Sequence, residues 1–225
     1  MNKVNEFFDS VLTKINDIFN FVPDSELDFH SIKARGLRGS LKVYHDEKIG
    51  VLGFIKARTL LNRIKTYNFA LTPIYIDGIT FLFEYNIRFG VHTLQIKLYN
   101  TALDKNIDFK NIKNKALITK KRFNKISDYK LNEKGNNELM LDWSIGKRAY
   151  NNDSFELIKI ANNYLMAYLE FLKSLNKCKA NKKLEIIRKF NDAKINANET
   201  LTSNLKKILG EEKAVEEIRK VLGEL

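Results

Sequence analysis

The sequence predicts an α+β domain in which a central antiparallel sheet carries helices on both faces. Three observations predict it: an amphipathic stripe at the N-terminus, strand-like runs from about Leu37 to Asn100, and a helical texture from Asp153 onward. The turn signals Asp46-Glu47, Asp77-Gly78 and Phe89-Gly90 leave only short connections between several of the strands. Such connections close hairpins and are too short for crossovers, so a meander is expected. Helices before and after the sheet then cover its two faces. A chain of 225 residues that is 44% hydrophobic suits one core, so residues 1–225 are expected to form a single domain.

The first helix is read from Val4, Phe7, Phe8, Val11, Leu12, Ile15, Ile18 and Phe19, which share one stripe and stop before Pro23. Its other face mixes Lys3, Glu6, Asp9, Lys14 and Asp17, which suits a helix covering a sheet and not one lying on a membrane. Strands are expected at 41–45, 49–57, 63–72, 79–88 and 91–100, and a further one at 139–145. Residues 104–135 are polar and basic and read as a long connection. Asp153 opens a helix through Phe155, Ile158, Leu165, Tyr168, Leu169, Leu172 and Leu175, and another follows at Leu184, Ile187 and Phe190. In the terminal pair, Asn198 is the N-cap and Leu201, Leu205, Ile208 and Leu209 form the stripe. Gly210 ends that helix, and Ala214, Val215, Ile218, Val221 and Leu222 repeat the pattern.

Several function classes are excluded. Cys178 is the only cysteine, so neither an internal disulfide nor a thiolate metal cluster is available. His30, His45 and His92 are scattered without metal-binding spacing, and no metal is expected. No dinucleotide or phosphate-binding glycine motif follows a strand, so an enzyme here carries no bound prosthetic group. There is no apolar run of bilayer-spanning length, and Asn5, Glu6 and Asp9 interrupt any secretory signal. A cytoplasmic monomer without a membrane partner is expected. The net charge of +12 favours an acidic partner.

Chemistry enters through polar residues inside strands. Alternation puts Ile64, Thr66, Asn68 and Ala70 on one face of their strand, and Thr80, Leu82, Glu84 and Asn86 on one face of theirs. Two readings stand for Glu84. It is either a carboxylic acid held protonated by an apolar wall of Leu82 and adjacent aromatics, or a carboxylate facing solvent or paired with a neighbour such as Lys97. Asn68 either serves a ligand or satisfies backbone groups. Glu199 either sits over the same face or is a solvated first-turn residue welcomed by the helix dipole.

Three segments together resemble the ferredoxin-dependent bilin reductases, which are related to red chlorophyll catabolite reductase. Asn68-Phe69-Ala70-Leu71-Thr72-Pro73 resembles a family strand with His or Asn five residues before a Pro. The strand carrying Glu84 is similar to one on which the family has an Asp. Asn198-Glu199 falls where the family has Asn-Asp, and the step from there to Gly210-Glu211 matches without gaps. A weaker match places Trp143 to Arg148 on a strand ending in a propionate-binding Arg. Both family aspartates are glutamates here.

The resemblance implies a three-layer α/β/α sandwich that binds a biliverdin-like open-chain tetrapyrrole between the sheet and the C-terminal helices. Reduced ferredoxin, an acidic protein, would deliver electrons singly through bilin radicals. Glu84 would be the central proton donor, Asn68 a hydrogen-bonding partner of the bilin, and Glu199 a second proton donor. Arg148, or Lys147 in its place, would bind a propionate, with Asn198 also at the substrate. Two other readings remain open: a non-catalytic tetrapyrrole-binding protein of this fold, and a nucleic-acid module using residues 110–125. The latter lacks interleaved surface aromatics.

Overall fold

Seven strands pair strictly in chain order to form one antiparallel sheet. In the computed structural model, which describes residues 3–31, 36–131, 138–197 and 200–224, the elements run as follows. α1 (Lys3–Asn16) leads into β1 (Val22–Ser31), β2 (Leu37–Asp46), β3 (Gly50–Arg58), β4 (Ile64–Pro73), β5 (Thr80–Arg88) and β6 (Val91–Tyr99). Then come α2 (Lys110–Arg122), β7 (Ile145–Tyr150), α3 (Ser154–Lys173), α4 (Ala180–Asn196), α5 (Thr200–Leu209) and α6 (Glu211–Val221). No helix among the described residues is long and apolar enough to cross a membrane.

Alternation sorts the core into two layers. Phe81, Phe83 and Tyr85 of β5 join Phe54, Tyr67 and Phe69 in an aromatic layer beneath α1 and α3. Phe69 and Phe83 stack at 4.7 Å between centroids, Phe7 of α1 lies 5.7 Å from Phe83, and Tyr168 of α3 lies 4.9 Å from Phe81. On the opposite face Leu41, Val43, Val51, Ile55 and Ala70 meet Ile187, Leu205, Ala214, Ile218 and Val221 of α4, α5 and α6. Gly53 lets α6 approach: a Cβ there would lie 2.5 Å from the backbone oxygen of Val221 and 2.6 Å from its Cα. α4 is pinned at its first turn by Lys183, whose fully buried ammonium donates to the Thr101 carbonyl at 2.6 Å and pairs with Asp77 at 3.4 Å.

Burial holds the phenols of Tyr85, Tyr164 and Tyr168 well above their ordinary range. The unfolded chain therefore releases these protons first, and the stability they carry, complete below about pH 10, is lost as pH rises beyond it. Burial lowers Lys14, Lys120 and Lys183 instead, which acts in the opposite sense. Urea midpoints are expected to fall between about pH 10 and pH 11, as the unfolding free energy drops by up to about 1.4 kcal/mol per pH unit for each phenol that ionises only on unfolding. A flat or rising midpoint would contradict the neutral buried phenols.

Three expectations are corrected. Residues 110–122 are not connection but helix α2, packed on α3 through Ile112, Ala116 and Thr119; three buried positions among many lysines leave a weak periodic signal. β1 extends the sheet at an edge, where Pro23 is tolerated. The last strand is 145–150, not 139–145: Met140 makes only an isolated bridge, and residues 138–144 turn the chain into the sheet.

Candidate functional site

The face turned toward α4, α5 and α6 changes character across the sheet. Over β1 to β3 it is apolar; from β4 to β7 it becomes polar, in rows set by strand register. One row runs Asn68, Glu84, Gln95 and Gly146. The next, toward the β3–β4 turn, runs Thr66, Asn86, Thr93 and Arg148. The next in the other direction runs Ala70, Leu82 and Lys97. Each strand contributes alternate residues, so β6 alone supplies Thr93, Gln95 and Lys97.

Glu84 and Asn68 are direct cross-strand partners, as their alternation requires. The Glu84 carboxylate accepts from Lys97 Nζ at 3.0 Å and from Gln95 Nε2 at 3.2 Å. Lys97 is only 1% exposed and Glu84 16%, which makes this a charge-assisted bond in a mostly water-excluded setting. The neighbouring aromatics Phe83 and Tyr85 point to the opposite layer, so no aromatic wall of the strand faces the carboxylate. Of the two readings for Glu84, pairing with Lys97 describes its surroundings. Asn68 is buried, and its Oδ1 has no hydrogen-bond partner among the described residues. An unspent amide oxygen in a buried position carries a free-energy cost that a donor from a ligand would relieve. Thr66 Oγ1 donates to Asn86 Oδ1 at 2.8 Å, closing the row outside it.

Arg148 lies on the same face, exposed, in the row next to Asn68 and Glu84. Its Nη2 donates to the Tyr150 hydroxyl at 2.9 Å, and the guanidinium lies 5.6 Å from that ring's centroid. Lys147 does not share the site. One residue earlier on β7, it points to the α1/α3 side, where Nζ bonds the Ile126 carbonyl at 2.8 Å and Asp128 at 2.7 Å. Its ammonium is therefore not beside Asn68 and Glu84. Asn198 and Glu199 lie outside the described residues. Just before them, Lys194 in the last turn of α4 bonds the Tyr99 hydroxyl at 2.6 Å, fixing the helix end against the sheet.

Gln95, Lys97 and Lys194 are missing from the sequence reading as site residues. Thr93-Leu94-Gln95-Ile96-Lys97 alternates polar and apolar residues, and that signal places the first two on the face of Glu84. No cluster of metal-ligating side chains occurs among the described residues. The polar face instead offers one ion-paired carboxylate, one unspent amide oxygen, a second amide and, in the next row, an exposed arginine. That set suits an elongated ligand with N–H groups at its centre and a carboxylate at its edge.

No protein-family model matches the chain, and no curated protein matches it in sequence. Its fold is that of the phytochromobilin synthase from tomato, whose crystal structure was solved in complex with biliverdin. The two superpose with a TM-score of 0.77 over 98% of this chain and 82% of that one, at 13% sequence identity. The α+β sandwich with its antiparallel sheet is thereby established, as expected from the sequence.

Proposed function

We propose that this polar face binds an open-chain tetrapyrrole of the biliverdin type, and that the protein reduces it with electrons from ferredoxin. The observation that carries this reading is the adjacency of Asn68, Glu84 and Gln95 across three strands, with a buried Asn68 oxygen left without a partner among the described residues. The shared fold with a synthase solved in complex with biliverdin supports it.

Asn68 accepts a hydrogen bond from a pyrrole or lactam N–H, which satisfies its orphaned oxygen. Glu84 and Lys97 pass a proton to the bilin as a pair: the Lys97 ammonium gives its proton through the Glu84 carboxylate, which is left charged, and Lys97 takes a proton back from water, while Gln95 orients the carboxylate. Reduction of one double bond consumes two electrons, arriving singly from two reduced ferredoxins, and two protons. Glu199 is proposed as the second donor and Asn198 as its neighbour at the substrate. Arg148 binds a propionate as a charge-assisted pair. The +12 charge gives an acidic electron donor an attractive surface.

The Glu84–Lys97 pair favours one alternative. A carboxylate held as an ion pair suits binding without proton delivery, so a tetrapyrrole carrier of the same fold is the competing reading. Titration with biliverdin, followed by reduced ferredoxin, separates the two. Visible absorbance should shift on binding and then bleach or move to the blue on reduction. A shift without further change identifies a carrier, and no shift at all removes the tetrapyrrole. In the same assay Arg148→Gln is expected to weaken binding by at least about tenfold, through loss of a charged hydrogen bond. Unchanged affinity would place the propionate elsewhere.

A further inference from the structure

The chain has nine arginines against thirty lysines, yet Arg38, Arg58, Arg63, Arg88 and Arg148 converge on one end of the sheet. That end carries the β3–β4 and β5–β6 turns, tied together by the bond from Phe89 N–H to the Arg63 carbonyl at 3.1 Å. Arg38, Arg58 and Lys65 stand directly opposite one another on β2, β3 and β4. Like charges in register on neighbouring strands are destabilising. None of these six cations forms an ion pair among the described residues, whereas Arg188 and Arg219 elsewhere pair with Glu224. The stretches 57–66 and 86–93 contain no acidic residue at all.

Between these cations the outermost points of the turns are apolar. Leu60, Leu61 and Phe89 are 54%, 73% and 65% exposed. Phe89 is the more telling because it and Gly90 both have positive φ, 51° and 79°, in a two-residue turn. That position favours Asn, Asp or Gly, and a bulky aromatic there costs conformational energy while burying little. Local rules broken at an exposed position call for a compensating contact.

We propose that this rim docks edge-on into an anionic phospholipid surface. Leu60, Leu61 and Phe89 enter the headgroup boundary, and Arg38, Arg58, Arg63 and Arg88, on either face of the sheet, engage lipid phosphates, with Arg148 left to the binding face. Protruding, separate apolar side chains flanked by cations on both faces need no complementary pocket in a bilayer, whereas a protein partner would have to supply one for each. This departs from the expectation of no membrane partner, which rested on the lack of a spanning run and on the mixed charges of α1. Residues from separate hairpins meet at the rim only after folding. The inference is independent of the proposed reaction.

The test is sedimentation of the full chain with vesicles of phosphatidylcholine alone and of phosphatidylcholine mixed with phosphatidylglycerol. Binding is expected only to the mixed vesicles, and to weaken with salt. Arg63→Gln with Arg88→Gln should weaken it by about tenfold or more. Leu61→Asn with Phe89→Asn should do likewise without lowering the melting temperature, since Asn tolerates the positive φ. Lys105→Gln with Lys110→Gln, at the opposite end of the sheet, removes the same charge and should change affinity by less than about threefold. Absent sedimentation, equal binding to neutral vesicles, or equal loss in the lysine control overturns the proposal. Loss in the arginine pair without loss in the apolar pair overturns the bilayer as well, and leaves an acidic protein surface as the occupant.

Discussion

Glu84→Gln is expected to leave biliverdin bound with an affinity within about threefold of the original and to lower turnover by at least about a hundredfold. The substitution keeps the side-chain length and one of the two oxygens, which can still accept from Lys97, while the new NH2 replaces the oxygen facing Gln95, whose amide can turn to offer its own oxygen, so the row keeps its geometry. What it removes is the group able to exchange a proton. Binding is read from the visible spectrum and turnover from bleaching under reduced ferredoxin, and the two readouts separate a chemical role from a structural one. Full turnover in this variant would take Glu84 out of the mechanism. Loss of binding together with turnover would instead make the Glu84–Lys97 pair a structural brace of the polar face.

Gly53→Ala is the second large effect. The added methyl meets the backbone of Val221 and its Cγ1 at 2.5–2.7 Å, so α6 itself has to move. Destabilisation of about 1–3 kcal/mol is expected, together with weakened bilin binding, because the displaced helix packs on the same face of the sheet as Asn68 and Glu84. Gly210→Ala provides the contrast. A Cβ at Gly210 meets nothing within 4 Å, and only its φ of +84° opposes the change. That variant should lose about 1 kcal/mol or more through backbone strain while keeping its affinity for the bilin. Chemical denaturation and biliverdin titration of the two variants give four numbers. Equal affinity in both would mean that the seating of α6 on β3 does not shape the site.

The sheet was legible because hairpins announce themselves locally. Strands expected at 63–72 and 79–88 are observed as Ile64–Pro73 and Thr80–Arg88, and alternation put Asn68 and Glu84 on the faces where they are found. Gly210 likewise breaks the helices with the positive φ its position suggests. What alternation within one strand cannot supply is register with the next. Lys97 becomes a partner of Glu84 only once β5 and β6 are aligned, and from sequence that pairing stood as one option beside an apolar wall. Lys147 and Arg148 show the same limit at its smallest scale: without the pleat of β7 fixed, two adjacent cations are interchangeable, and in the structure they face opposite layers. α2 was hidden by its composition, since lysines on its exposed side outweigh the few buried positions.

The strict meander bears on how the chain becomes a protein. Every strand closes on its immediate predecessor or successor, so most of the sheet can form through short loops whose entropy cost is small. The C-terminal helices are different. Lys183 must reach Asp77 across 106 residues before α4 is pinned. Local pairing can thus build most of the sheet, whereas the seating of α4 on it depends on long-range closure. A bound tetrapyrrole would stabilise the final docking step more than any earlier one, coupling the last stage of folding to the presence of substrate.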